Sequence, residues 1–132
     1  MDSKKVLEKL LFLSQSAKNY IDFLSQNSFD LENKILFYIC FNEGCSPQDM
    51  IDLFKIKKTN LAIICRDLIE KGLISKQKNE IDARSISYFA TESGQKKLDE
   101  LCRAFDEKNT CSDEKKQEVC NEIDDIIKFF KF

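Results

Sequence analysis

From Val6 onward the apolar residues fall at positions 6, 7, 10, 11, 13, 17, 20, 21 and 24, a three-and-four spacing that lines one side of an α-helix. The pattern predicts one long amphipathic helix over 4–26, ended by the polar run Gln26, Asn27 and Ser28. Asp30 is a suitable N-cap for a second helix that carries Leu31, Ile35, Leu36, Ile39 and Cys40 and stops at Asn42-Glu43-Gly44. Its apolar girth marks it for deep burial. Ser46-Pro47-Gln48-Asp49 has the form of a capping box with proline in the first turn, and predicts a short third helix to about Phe54. Ile56 to Lys58 read as a connection. From Thr59 the residues Leu61, Ile64, Cys65, Leu68 and Ile69 describe a fourth helix, closed by Lys71-Gly72.

After Gly72 the period changes to two. Leu73 to Lys78 reads as a strand, Asn79 to Arg84 as a polar turn, and Ile86, Tyr88 and Ala90 as the inward positions of a returning strand. Thr91 can cap a further helix through Leu98, Leu101, Cys102 and Phe105, and Thr110 with Asp113 suggests another start before Val119, Ile123, Ile126, Ile127 and Phe130. The predicted order is α-α-α-α-β-β-α-α, mainly α with one small β-hairpin.

Composition narrows the class. Three Gly and one Pro in 132 residues favour helices with short connections over a β-sandwich. The absence of His removes the usual neutral-pH general base and the commonest metal ligand. No nucleophile–base pair or phosphate-cradling glycine loop is present, so the expectation is a protein that is not an enzyme, with no cofactor and no metal. The longest apolar run, Ile35 to Phe41, is far short of the roughly 20 residues that span a bilayer, and Glu8 and Lys9 interrupt what would be the apolar centre of a secretory signal. We expect a cytoplasmic chain with no membrane partner. Six Cys without a C-x-x-C spacing then read as reduced thiols, Cys40 and Cys65 as small core residues.

Net charge is −2 over the whole chain, but the charges are unevenly spread. Residues 1–54 carry five cations and eight acids, residues 55–84 eight cations and four acids, and residues 85–132 eight cations and eleven acids. The basic stretch coincides with the fourth helix and the hairpin. A short helix, a tight connection, a second helix and a hairpin with a cationic tip form the outline of a winged helix-turn-helix. A major groove admits one helix, flanking cations meet phosphates, and a hairpin tip reaches the neighbouring minor groove. On that geometry Lys57, Lys58, Thr59, Asn60 and Ile63 are the candidates at the entering end of the reading helix, Lys55, Lys76 and Lys78 are backbone contacts, and Arg84 is the minor-groove candidate. Asp82 is expected to fold the tip. A solvated lysine-rich face is the plain alternative for the cluster, and helix capping for Thr59 and Asn60.

The run from Lys71, KGLISKQKNEIDARSISYFATESGQ, resembles the wing of the MarR (multiple-antibiotic-resistance regulator) family. Gly72, Leu73, Ile74, Lys76, Asp82, Arg84, Thr91 and Gly94 occupy the Gly-Leu-Ile, basic, Asp-x-Arg and Thr-x-x-Gly positions of that motif, and the helix order agrees over nearly the whole chain. The resemblance implies a homodimeric transcription regulator, a repressor on a pseudo-palindromic site of double-stranded DNA. It implies one winged-helix domain over 1–132, with 30–94 as the DNA-binding core and 1–29 and 95–132 as dimerisation helices. The apolar stripe of the first helix and the Ile126 to Phe132 segment independently leave more apolar surface than one small domain covers. Ala62 and Ile63 stand where the family often has Ser or Thr and then Arg, Ala83 and Lys76 stand where it has Arg, and Ala90 where it has Leu. Base readout is correspondingly thinner, and shape and phosphate charge carry more.

The resemblance also implies a small-molecule effector between the dimer helices and the winged part, or a sensing thiol. Tyr20, Phe23, Phe37 and Tyr38 are candidate pocket residues, although aromatics at helical spacing are more often core. Cys45, Cys102, Cys111 and Cys120 are candidate exposed thiols. The competing functional reading is a winged-helix interaction module with little DNA affinity, whose apolar and acidic surfaces bind another regulator.

Overall fold

The computed structural model describes residues 2–26, 29–82 and 84–130; Asn27, Ser28, Ala83, Lys131 and Phe132, which figure in the sequence reading, lie outside them. The element order is α1 (Ser3–Ser25), α2 (Leu31–Phe41), α3 (Pro47–Phe54), α4 (Lys58–Glu70), β1 (Ile74–Lys78), β2 (Ile86–Ala90), α5 (Glu92–Lys108) and α6 (Asp113–Phe129). This is the expected α-α-α-α-β-β-α-α order, and most boundaries differ by one or two residues. The larger differences have identifiable causes. The fourth helix begins at Lys58 with Lys57 as its N-cap, so Thr59 and Asn60 sit inside its first turn and neither caps it. At α6 the cap is Ser112, whose hydroxyl accepts from the Lys115 N–H, and not Thr110; Asp113 and Glu114 then occupy the first turn, where the helix dipole favours acids.

α2 is the centre of the core. Ile35, Leu36 and Ile39 are almost wholly inaccessible, joined by Met50 from α3, Leu61, Cys65 and Leu68 from α4, Ile74 from β1 and Tyr88 from β2. Each such aliphatic contributes about 1.5–3 kcal/mol relative to exposure, which is why this helix alone is apolar nearly all round. α3 and α4 form the helix-turn-helix. The capping box of α3 is complete: Ser46 Oγ accepts from the Asp49 N–H at 3.2 Å, and Asp49 Oδ2 accepts from the Ser46 N–H at 3.1 Å.

The hairpin is antiparallel, with Ile74 opposite Ala90, Lys76 opposite Tyr88 and Lys78 opposite Ile86. A one-residue third strand, absent from the sequence reading, lies on its other side. Cys45 bridges to Tyr88, the Gly44 N–H donating to the Tyr88 carbonyl at 2.8 Å and the Tyr88 N–H to the Cys45 carbonyl at 2.9 Å. That bridge buries Cys45, which is therefore not an exposed thiol. Burial pushes the Cys40 and Cys45 thiols up to about 11 and raises Cys65 as well. Cys102 and Cys120 are exposed and Cys111 is half-buried.

The Thr91-x-x-Gly94 motif joins wing to helix. Thr91 Oγ1 accepts from the Gly94 N–H at 3.1 Å and donates to the Gly72 carbonyl at 2.6 Å. A Cβ on Gly94 would lie 2.2 Å from the Leu73 carbonyl oxygen, so only glycine lets α5 approach the strand this closely. Glu43 adds a second tie, accepting from the Ala90 N–H at 3.0 Å and the Gln95 amide at 2.9 Å. α1 and α6 contrast with this core, since neither buries a single described residue. Leu7, Leu11, Phe12, Ile123, Ile127 and Phe129 are all exposed.

Candidate nucleic-acid interface

The solvent side of α4 follows from its buried side. With Leu61, Cys65 and Leu68 turned into the core, Lys58, Thr59, Asn60, Ala62 and Ile63 are exposed, Ile63 at 49%. Among the described helices, α4 is the one whose cap residue makes no side-chain hydrogen bond. Its first intrahelical bond is from the Leu61 N–H to the Lys57 carbonyl, which leaves the amides of the first turn available to an anion and the positive end of the dipole open. Lys55 precedes this turn in the left-handed region, φ 54°, and Lys55, Lys57 and Lys58 are all exposed.

The hairpin is oriented by Tyr88. Residues directly opposite in an antiparallel pair share a face, so Lys76 lies on the Tyr88 face, and Ile74, Lys78 and Ile86 lie on it too. Tyr88 is hydrogen-bonded to Cys65 of α4, which fixes that face toward α4. Lys76 and Lys78 therefore leave the hairpin on the side turned to the reading helix, beyond the edge of the core, and both are exposed. At the tip, Asp82 Oδ1 accepts from the Arg84 N–H at 3.1 Å and from Nε at 3.4 Å. Asp82 folds the turn as expected, and the Arg84 side chain stays 94% exposed. All nine sequence candidates reach solvent; those on α4 and β1 are brought to one side of the winged part by the Tyr88–Cys65 tie. Sequence reading missed two contributors, Glu43, which anchors the base of the wing through Ala90, and the uncapped start of α4. The second was legible as the want of Ser, Thr, Asp or Asn at position 57.

A cavity of about 350 Å³ lies between α1, α2 and α5, bordered by Leu24, Phe29, Phe37, Lys97, Glu100 and Leu101 among others. Of the four aromatic candidates Phe37 borders it. Tyr20 instead packs edge-on against Phe105, Phe23 lies under the Lys108 ammonium, and Tyr38 packs against Phe54. A second, wholly apolar groove of about 380 Å³ runs between α1 and α6, past Val6, Leu10, Leu13, Ile126 and Phe129. Among the described residues no cluster of metal-ligating side chains occurs and no helix is long and apolar enough to cross a membrane.

A helix-turn-helix followed by a hairpin that packs on the reading helix, flanked by long N- and C-terminal helices, defines a winged-helix protein of the MarR type. The family model of the transcriptional regulators SarA/Rot matches residues 25–101, more than half of the chain, and the chain belongs to that family. It is a family of regulators, not of enzymes. Solved structures agree on the fold. A MarR transcriptional regulator from Methanosarcina mazei Go1 is 20% identical, with 96% of each chain covered and a TM-score of 0.66. A single-substitution mutant of MepR from a multidrug-resistant S. aureus clinical isolate is 14% identical over 99% of each chain, TM-score 0.68. Streptococcus pneumoniae FabT, solved in complex with DNA, is 17% identical over 97% of this chain and 96% of its own, TM-score 0.63. No curated protein sequence matches significantly.

Proposed function

We propose that this chain is a cytoplasmic, homodimeric repressor that binds a pseudo-palindromic site on double-stranded DNA, α4 entering the major groove and the wing the adjacent minor groove. The observation that carries the reading is the exposed, uncapped start of α4 beside a hairpin whose cations face the same side. Lys55, Lys57, Lys58, Lys76 and Lys78 hold phosphates, Thr59, Asn60 and Ile63 meet base edges, and Arg84 enters the minor groove. Residues 30–94 act as the DNA-binding core, and 1–29 and 95–132 dimerise through the exposed apolar faces of α1 and α6. The solved complex of FabT with DNA supports the use of this fold on a duplex. The cavity beside α1, α2 and α5 is the place for a small-molecule effector, because a ligand there would bear on both the dimer helices and the winged core.

A mobility-shift titration tests the reading. With about six to ten phosphate contacts per dimer, affinity falls about 10³- to 10⁵-fold between 50 and 200 mM salt, and footprints show half-sites about 10 base pairs apart. Asn60→Ala relaxes sequence choice, whereas Arg84→Ala weakens binding chiefly at A·T-rich flanks. A flat salt response, or no shift at all, overturns the proposal in favour of the protein-interaction module that the exposed Ile63 and α1/α6 faces would otherwise suit.

A further inference from the structure

The turn that ends the wing carries an apolar side chain for which the fold has no use. Ile81 is 99% exposed, the highest value for a large hydrophobic side chain among the described residues. Its neighbours build the turn: Asn79 Oδ1 accepts from the Ile81 N–H at 2.8 Å and from the Asp82 N–H at 3.4 Å. The Asn79 N–H donates to the Ser85 carbonyl and the Ser85 N–H to the Asp82 carbonyl, both at 2.9 Å. Ile81 enters this scheme only through its backbone, and any residue would serve. Isolated exposed apolar residues are ordinary on protein surfaces; its position is what sets Ile81 apart. Lys76 and Lys78 lie on the strand leading to it and Arg84 three residues beyond, all exposed, so it stands at the end of a cationic ribbon. The matching surface is narrow, lined by anionic groups at its rims and by C–H groups within. The minor groove of a duplex has that form, about 6 Å wide between phosphate rims and walled by deoxyribose.

We propose that Ile81 is an apolar minor-groove contact that packs against the deoxyribose walls and is held off by the N2 amine of guanine, making it a further specificity-determining residue. This rests on the DNA-binding reading above and deepens it. In a duplex of alternating dI–dC the guanine amine is missing while the major-groove edge stays that of G·C, which isolates the interaction.

The full chain is titrated by fluorescence anisotropy against duplexes of about 30 base pairs of alternating dA–dT, dG–dC and dI–dC. Wild type binds the first and third more tightly than the second. Ile81→Ser weakens those two about fivefold, the amount expected from burying about half of the side chain, and leaves dG–dC within about twofold. The slope of log affinity against log salt is unchanged, since no charge is removed. Ile81→Val keeps the wild-type ranking. Thermal melts of both variants match wild type because the side chain packs on nothing. If Ile81→Ser binds all three duplexes as wild type does, or loses affinity for all three equally, the contact is refuted while DNA binding stands. If wild type binds none of them at 50 mM salt, the underlying reading itself fails.

Discussion

Six thiols in one short chain share an element but not an environment. Cys40, Cys45 and Cys65 are enclosed by the core around α2, and Cys40 donates to the Gly94 carbonyl at 3.7 Å. Burial raises a thiol because the thiolate loses its hydration. A thiol pushed up to about 11, as at Cys40 and Cys45, is ionised in only about one molecule in 1,000 at pH 8, and the thiolate is the reactive form. Iodoacetamide applied to the native protein at pH 8 therefore labels the exposed Cys102 and Cys120 first, and Cys40, Cys45 and Cys65 only after denaturation. Peptide mass spectrometry reads the order, and early labelling at Cys45 would contradict the Gly44–Cys45 bridge to Tyr88. Any oxidant response of this chain belongs to α5 and α6, where the accessible thiols lie. Cys65 was legible as core because it falls on the stripe of Leu61 and Leu68. Cys45 was not, since it follows a loop glycine and is buried by a long-range strand pairing.

Elements are set by local chemistry and joined by a few close approaches. The α3 capping box and the Gly94 contact illustrate the two kinds of bond. Ser46→Ala removes a reciprocal cap and costs about 1 kcal/mol. Gly94→Ala places a methyl against the Leu73 carbonyl, 2.2 Å away if nothing moves, and costs about 3 kcal/mol through displacement of α5 from β1. Urea denaturation checks both: the midpoint falls more for Gly94→Ala, with the slope unchanged in each case. Equal, small shifts would show that α5 slides away from the strand without cost. The Thr91-x-x-Gly94 spacing is thus a physical requirement of the wing-to-helix junction and not merely a family signature.

At the scale of the whole molecule the dominant feature is apolar surface left uncovered. α1 and α6 are amphipathic over 23 and 17 residues and bury none of their described side chains within the chain. Water contact along both faces is costly, and a second copy is the partner the proposed function supplies. Sedimentation should give twice the 15.4 kDa of the chain. Replacing Ile123 and Ile127 with Asp should return the monomer mass and lower DNA affinity about 10²-fold or more, because two linked half-sites become one. A wild-type monomer with full DNA affinity would defeat this account of the terminal helices.

The sequence alone determined the order of elements, the helix stripes, most caps and the wing, because each depends on residues within one or two turns of each other. Periodicity placed Leu61, Cys65 and Leu68 inward, and so Lys58, Asn60 and Ile63 outward, without any coordinates. The tertiary structure decided what depends on distant partners. These are the Cys45–Tyr88 bridge, the Tyr88–Cys65 bond that turns Lys76 and Lys78 toward α4, the cavity bordered by Phe37 rather than Tyr20, and the isolation of Ile81 at the wing tip. A local pattern fixes which face of an element is apolar; only the packed chain fixes what that face meets.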